Sequence, residues 1–270
     1  MMSSRQQSRG TRKRRADVKF NIALARGLSI LRAFRAGEAY LGTTELSART
    51  GIPKPTVSRL AYTLVKEGYL TRLGEIDKYQ LSTGSLDLGY SVLASLGLNE
   101  IARPLMRELA SESQATIGLG LRDDLSVVYV EYAKGEAALA SRASIGLRVP
   151  LAMTTLGWCC LYVMQEAERR QTLERIREAS GLSWQKVNGS IQRAFDEIEQ
   201  HGFCIALGEF MPEISSVGVP FGDAGSQRQY AFNCTGVRSI LSRQELTRKW
   251  GPRLVELRQK LEPLRAAVTG

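Results

Sequence analysis

The chain has a single histidine, His201, in 270 residues. That scarcity excludes a His-rich metal site and makes any Ser-His-Asp mechanism depend on one side chain. The four cysteines, Cys159, Cys160, Cys204 and Cys234, form no Cys-x-x-Cys pair. They read as free thiols in a reducing compartment rather than as zinc ligands or disulfides. Long apolar runs are also missing: the peak at Leu156–Met164 falls far short of the roughly 20 residues of a membrane helix. No apolar segment follows the basic N-terminus, so no secretory signal is read and a cytoplasmic location is expected. Acidic residues are absent where bases are densest, since residues 1–15 hold six Lys or Arg and no Asp or Glu.

What is present is an ordinary apolar content of 43% and a formal net charge of +10. The length suggests about two domains. Residues 16–85 hold ten bases and six acids, and the remaining residues balance at 21 of each. The whole excess therefore lies in the first 85 residues. Such asymmetry points to a nucleic-acid or other anionic partner for that end. Residues 1–17 are rich in Arg, Ser, Gln and Gly, cannot bury apolar surface, and are expected to form a disordered basic arm.

Residues 18–36 place Ile22, Ala25, Leu28, Leu31 and Phe34 at helical spacing, with Gly37 as the stop. Thr43 or Thr44 is the expected N-cap of a short helix that Gly51 ends. Pro53 and Pro55 mark the next helix start, over 55–67, with Val57, Leu60, Ala61 and Leu64 on one face. Ser58, Arg59, Tyr62 and Lys66 take the other. Tyr69–Arg72 and Lys78–Leu81 read as a hairpin around Gly74–Asp77. Helix, short helix, Gly turn, helix and hairpin make a winged helix-turn-helix over residues 18–84. In that motif the second helix of the pair enters the major groove by its N-terminal part, while the wing meets phosphates. The expected DNA-facing set is Arg26, Thr43, Thr44, Lys54, Pro55, Thr56, Ser58, Arg59, Tyr62, Arg72 and Lys78, and the partner is double-stranded operator DNA.

Residues 85–98 carry one charge, Asp87, and are expected to form a linker helix packed on a partner subunit or on the next domain. From 99 onward, helices are read at Ile101–Leu109 (Pro104 in the first turn), Thr154–Met164, Ala167–Arg177, Val187–Gln200 and Leu246–Ala267 (interrupted at Pro252). Strands are read at Thr116–Arg122, Ser126–Tyr132, Phe203–Leu207, Ser216–Phe221 and Gln229–Thr235. This order implies an α+β domain with a largely antiparallel sheet flanked by helices, over residues 99–270.

Several signals have structural explanations. His201 before Gly202 fits a helix C-terminus. Gly118-Leu-Gly120 lies inside a strand and is no phosphate loop. Trp158 is expected to fill core, with ligand stacking as the alternative. Arg142 and Arg148 are expected at the surface, yet they are the cations an acidic effector could use.

The chain resembles the IclR family of bacterial transcriptional regulators. The resemblance rests on an ordered set: Arg26-Gly-Leu-Ser-Ile-Leu, Thr44-Glu-Leu-Ser through Thr56-Val-Ser-Arg-Leu, Gly68-Tyr-Leu, Tyr79-Gln-Leu-Ser, Ala102-Arg-Pro-Leu, Val127-Val-Tyr-Val, Val149-Pro-Leu with Thr154-Thr-Leu-Gly, and Val217-Gly-Val-Pro. It implies a winged helix-turn-helix, a linker helix used in dimerisation, and a GAF-like C-terminal effector domain. It also implies homodimers or dimers of dimers whose operator affinity a small molecule changes, without a cofactor or metal. The effector, an organic or aromatic acid, is expected at Ile145, Leu151, Ala152, Met153, Thr154, Gly157, Ala206, Glu209, Ser216, Val217, Asn233 and Thr235. The chain departs from the family pattern at Ala152-Met153, at Trp158, at Ala206-Leu207-Gly208, at Glu213 and Ser216, and at Asn233-Cys234-Thr235-Gly236. The rival reading is an enzyme that converts a small molecule, with the basic end incidental. It lacks a nucleophile–base pair, because the one histidine sits at a helix cap.

Overall fold

The computed structural model describes residues 19–35, 37–136, 143–179, 183–222 and 228–268. The basic arm, residues 1–17, and Arg142 lie outside them. The chain forms two compact units that part between Tyr90 and Ser91.

The first unit holds α1 (Ile22–Arg32), β1 (Leu41–Gly42), α2 (Thr43–Thr50), α3 (Lys54–Lys66), β2 (Leu70–Leu73) and β3 (Lys78–Leu81). Its core is small: Ile30, Leu41, Leu46, Ile52, Val57, Ala61, Leu70 and Tyr79. The strands make an antiparallel sheet in the order β1-β3-β2. The α2–α3 turn is set locally. Gly51 takes the left-handed φ of 69° that L side chains avoid, and Pro53 then caps α3, with Pro55 in its first turn where no N–H is needed. The helix α4 (Thr83–Leu96) follows.

The second unit is built on a six-stranded antiparallel sheet in the order β6-β5-β4-β9-β8-β7. Its elements are α5 (Leu98–Ser113), β4 (Thr116–Asp123), β5 (Ser126–Lys134), β6 (Arg148–Pro150), α6 (Thr155–Tyr162), α7 (Glu166–Ala179), α8 (Trp184–His201), β7 (Cys204–Leu207), β8 (Ile214–Phe221) and β9 (Tyr230–Val237). A turn α9 (Arg243–Glu245), a π-helical turn at Leu246–Trp250 and α10 (Gly251–Val268) close the chain. One face of the sheet presents Ile117, Leu119, Val217, Val219, Phe221, Phe232 and Cys234 to α5 and α10. The other presents Val127, Tyr129 and Ala231 to α6 and α8. Both faces are buried, which explains why these strands read as nearly continuous apolar runs rather than as alternations.

Four boundary expectations are corrected. α1 stops at Arg32 instead of Gly37, because the Arg49 guanidinium takes the Ala33 carbonyl (2.9 Å) and clamps Glu38 (2.5 Å). Neither Thr43 nor Thr44 caps α2; Gly42 does, since its backbone is already paired in β1 and its N–H bonds the Glu45 carboxylate at 2.7 Å. Pro104 sits inside α5, not in its first turn, because the helix begins directly after Gly97. The closing helix is broken by the π-helical turn before Pro252, where Gly251 lies against the Phe203 ring. The two short strands β1 and β6 went unread, being too brief to carry a period.

Two glycines show what contact does to the same substitution. A Cβ on Gly157 in α6 would fall inside the Leu151 backbone, whereas one on Gly189 in α8 meets nothing within 4 Å. Gly157→Ala is expected to destabilise by about 3 kcal/mol, since backbone must move. Gly189→Ala is expected to stabilise by about 0.5 kcal/mol through helix propensity. Urea unfolding of both variants followed by circular dichroism checks the contrast.

Candidate functional site

In the first unit, burial of Val57 and Ala61 turns the other side of α3 outward. Lys54, Pro55, Ser58, Arg59 and Tyr62 are exposed and Thr56 is half-buried. Thr43, Ser58, Tyr62 and Arg72 line a shared depression between α3 and the wing, with Asp77 and Tyr79. Arg26 on α1 and Thr44 on α2 are exposed but lie outside that depression. Two wing cations already have partners. Arg72 donates to Asp77 at 2.7 Å, and Lys78 lies 3.6 Å from Glu45 and 4.7 Å from the Tyr40 ring centroid. The guanidinium of Arg49 holds Glu38 down at about 2, and the Gly42 N–H with Lys78 lowers Glu45. These acids stay charged and keep the α1–α2 and α2–wing junctions tied.

The second unit encloses a cavity of about 200 Å³. α6 builds one end of it. Thr154 caps that helix, accepting from the Gly157 N–H at 3.2 Å and donating to the Pro150 carbonyl at 2.8 Å. The first-turn amides of Thr155 and Leu156 have no intrahelical acceptor, so the N-terminus presents donors and a positive dipole end. Thr155 and Ser216 hydroxyls lie 3.1 Å apart, both buried. Deeper in, the Asn233 amide donates to the Tyr129 hydroxyl at 3.0 Å. Burial pushes the Tyr129 phenol up to about 12, so it remains a neutral donor. Leu147, Val149, Met153, Leu156, Phe210 and Ile240 are among the apolar walls.

Among the described residues, the lining includes one charged side chain, Glu209, and no Lys or Arg. Glu209 is turned to its own neighbours: it accepts from the Leu207 N–H and pairs with Arg193 at 2.6 Å. Arg148 is exposed and paired with Asp123.

Of the expected effector residues, Met153, Thr154, Ala206, Glu209, Ser216, Asn233 and Thr235 line the cavity. Ile145, Leu151, Ala152, Gly157 and Val217 do not. Ile145 is exposed. Leu151 is fully buried, with the close approach of Gly157 against it. The Ala152 carbonyl accepts from the Trp158 indole at 2.9 Å. Val217 points to the opposite face of the sheet, as its neighbour Ser216 points inward. Trp158 is fully buried and outside the lining, so it fills core. Tyr129, Thr155 and Ile214 line the cavity without having been singled out. Only Thr155 carried a usable signal, as the first residue after a Thr N-cap.

His201 ends α8 and Gly202 follows at φ 80°, the capping arrangement. The four thiols are buried and free. Among the described residues no group of His, Cys, Asp and Glu could hold a metal ion, and no helix of the described residues is long and apolar enough to cross a membrane.

Comparison with known proteins matches residues 23–74 to the IclR helix-turn-helix domain and residues 90–261 to the bacterial transcriptional regulator IclR C-terminal family. The HTH-type transcriptional regulator TsaQ1/TsaQ2 of Comamonas testosteroni is 36% identical over 91% of this chain and 89% of its own. The crystal structure of an IclR family transcriptional regulator from Brucella abortus aligns with TM-score 0.77 and 40% identity, covering 92% of this chain and 94% of that one. A structure of an IclR homologue from Microbacterium hydrocarbonoxydans, complexed with 4-hydroxybenzoate, shares the fold at TM-score 0.73 and 19% identity, covering 91% of this chain and 99% of that one.

Burial has a pH consequence. Desolvation raises Tyr129, Cys160 and Cys234 to about 12 each, and raises Cys159 as well. In the unfolded chain the thiols ionise from about 8.5 and the phenol from about 10. The folded state keeps these protons longer, so its stability is full below about pH 8.5 and falls as pH rises toward 12. Tyr129→Phe is expected to flatten only the part of this loss above about pH 10. Urea midpoints measured between pH 8 and pH 11 check the sign.

Proposed function

This chain belongs to the IclR family of bacterial transcriptional regulators, with a helix-turn-helix DNA-binding domain and a C-terminal effector-binding domain, and on that premise we propose that its effector is a small organic monocarboxylic acid with an apolar, aromatic body. The observation that carries this reading is the cavity of about 200 Å³ whose polar end is the α6 N-terminus and the Thr155–Ser216 hydroxyl pair. A carboxylate accepts hydrogen bonds and is stabilised at a helix N-terminus. Apolar walls suit a ring, and a limited set of neutral donors suits a single negative charge. Complexation of 4-hydroxybenzoate by the Microbacterium hydrocarbonoxydans homologue supports the same ligand class.

The DNA-facing side chains are Lys54, Thr56, Ser58, Arg59 and Tyr62 on α3, together with Arg26, Thr43, Thr44, Pro55 and the wing residues Arg72 and Lys78. The protein works as a cytoplasmic homodimer or dimer of dimers. In support, α4 exposes Leu86, Leu88, Tyr90 and Val92 around its circumference, and a helix apolar on every side requires a covering partner. Effector binding changes operator affinity only so far as the acid prefers one of two states of that assembly. We read the protein as a ligand-responsive switch rather than an enzyme: among the described residues the lining brings hydroxyls and a phenol together, and its carboxylate, Glu209, is paired with Arg193.

Two measurements check this reading. Arg59→Ala is expected to weaken binding to the operator by about 1–3 kcal/mol with an unchanged melting temperature. Fluorescence anisotropy with labelled operator reads the first, and calorimetry the second. Benzoate and its relatives are expected to raise the melting temperature in proportion to the logarithm of their concentration. Thr155→Val is expected to remove that shift. A flat response to every organic acid would falsify the effector assignment.

A further inference from the structure

The cavity floor has a second polar point that binding of a carboxylate does not use. Gly218 on β8 and Gly118 on β4 both pair with Asn233 on β9, which lies between them. The missing side chains leave room above each strand. A Cβ on Gly218 would sit 2.7 Å from the Thr155 Cβ, and a Cβ on Gly118 would strike the Tyr129 ring. The Thr155 side chain over β8, Asn233 on β9 and the Tyr129 ring over β4 therefore lie in a row across three neighbouring strands, which are about 4.8 Å apart. The α6 N-terminus ends this row on one side and the phenol ends it on the other.

The Tyr129 hydroxyl accepts from the Asn233 amide. An amide N–H uses only the oxygen lone pair, so the phenol keeps its own proton for another acceptor. Among the described residues none takes it, and the Asn233 carbonyl oxygen has no partner either. The phenol's proton is thus a neutral donor facing a mostly apolar cavity, within two strand spacings, roughly 10 Å, of the α6 N-terminus.

We propose that Tyr129 is the specificity-determining residue of the effector site, selecting acids that carry a second oxygen acceptor, a ring hydroxyl or carbonyl, opposite the carboxylate. Asn233 is the positioning residue that holds the phenol at that distance. The inference rests on the organic-acid reading of the same cavity and deepens it. An acid without the second oxygen leaves the phenol proton without an acceptor in an apolar surrounding. That lowers affinity by roughly tenfold.

The test is isothermal titration of the full-length protein with benzoate, the monohydroxybenzoate isomers and the formylbenzoate isomers. One hydroxybenzoate and the formylbenzoate substituted at the same carbon are expected to bind roughly tenfold tighter than benzoate. Tyr129→Phe is expected to bind all three alike, at the benzoate affinity. If the wild type binds benzoate and every substituted acid equally, or if Tyr129→Phe keeps the preference, Tyr129 does not select and the organic-acid reading still stands. A preference for the hydroxyl without the carbonyl overturns the donor role of Tyr129 and needs no variant to be seen. If no acid binds the wild-type protein at all, the organic-acid reading fails and the proposal falls with it.

Discussion

The second unit depends on how closely α6 approaches the sheet. Two glycines set that approach. Gly157 lets the helix meet the Leu151 backbone, and Gly218 lets Thr155 sit almost on β8. Side chains at either position would lift α6 away, and interiors packed at crystal-like density do not absorb such a shift. With the helix held down, its N-terminus opens onto the cavity, and its later residues Trp158, Cys159, Cys160 and Leu161 disappear into the core. Structural core and cavity lining are consecutive turns of one helix.

The sheet separates two tasks by its pleat. The face toward α5 and α10 is filled with large apolar side chains. The face toward α6 and α8 carries Gly118, Gly218, Ser216 and Asn233 at corresponding places, which removes volume and adds hydrogen-bonding groups. The site that results is polar without being strongly charged. Its acidic side chain is neutralised by Arg193, and its donors are amides, hydroxyls and a phenol. An anion held this way loses less water-like solvation than in a dry pocket, yet creates no unpaired cation when it leaves. In the first unit the division is different: acids tie the junctions of a small core, and α3 keeps its polar side outward.

Much of this was legible. The charge excess before residue 85, the Gly51–Pro53–Pro55 punctuation and the outward set on α3 each follow from local chemistry, and the helix-turn-helix came through with small boundary shifts. The helix at Thr155–Tyr162, expected as Thr154–Met164, the longer strands and the His201–Gly202 stop were also readable. Boundaries failed where a distant side chain intervened. Arg49 ended α1 from sixteen residues away, and β1 fixed Gly42 as a cap by pairing with β3. Leu151, Ala152, Gly157 and Val217 adjoin the cavity wall in sequence, but burial or the pleat turns them elsewhere.

The clearest case is Tyr129. Strict alternation along Ser126–Tyr132 places it on the same face as Glu131. The structure has a bulge: Leu119 pairs with Glu131, but Gly120 pairs with Tyr129, leaving Val130 extra. One inserted residue reverses every side chain beyond it, so Tyr129 shares the cavity face with Val127 while Glu131 turns with Val130 toward α5, where Arg103 pairs with it. Local sequence determines what is decided within a turn or a strand period: the helices, the outward side of α3 and the broad architecture. Which residues share the cavity was decided only by the tertiary structure, because pairing register and close approach are long-range constraints that no local pattern encodes.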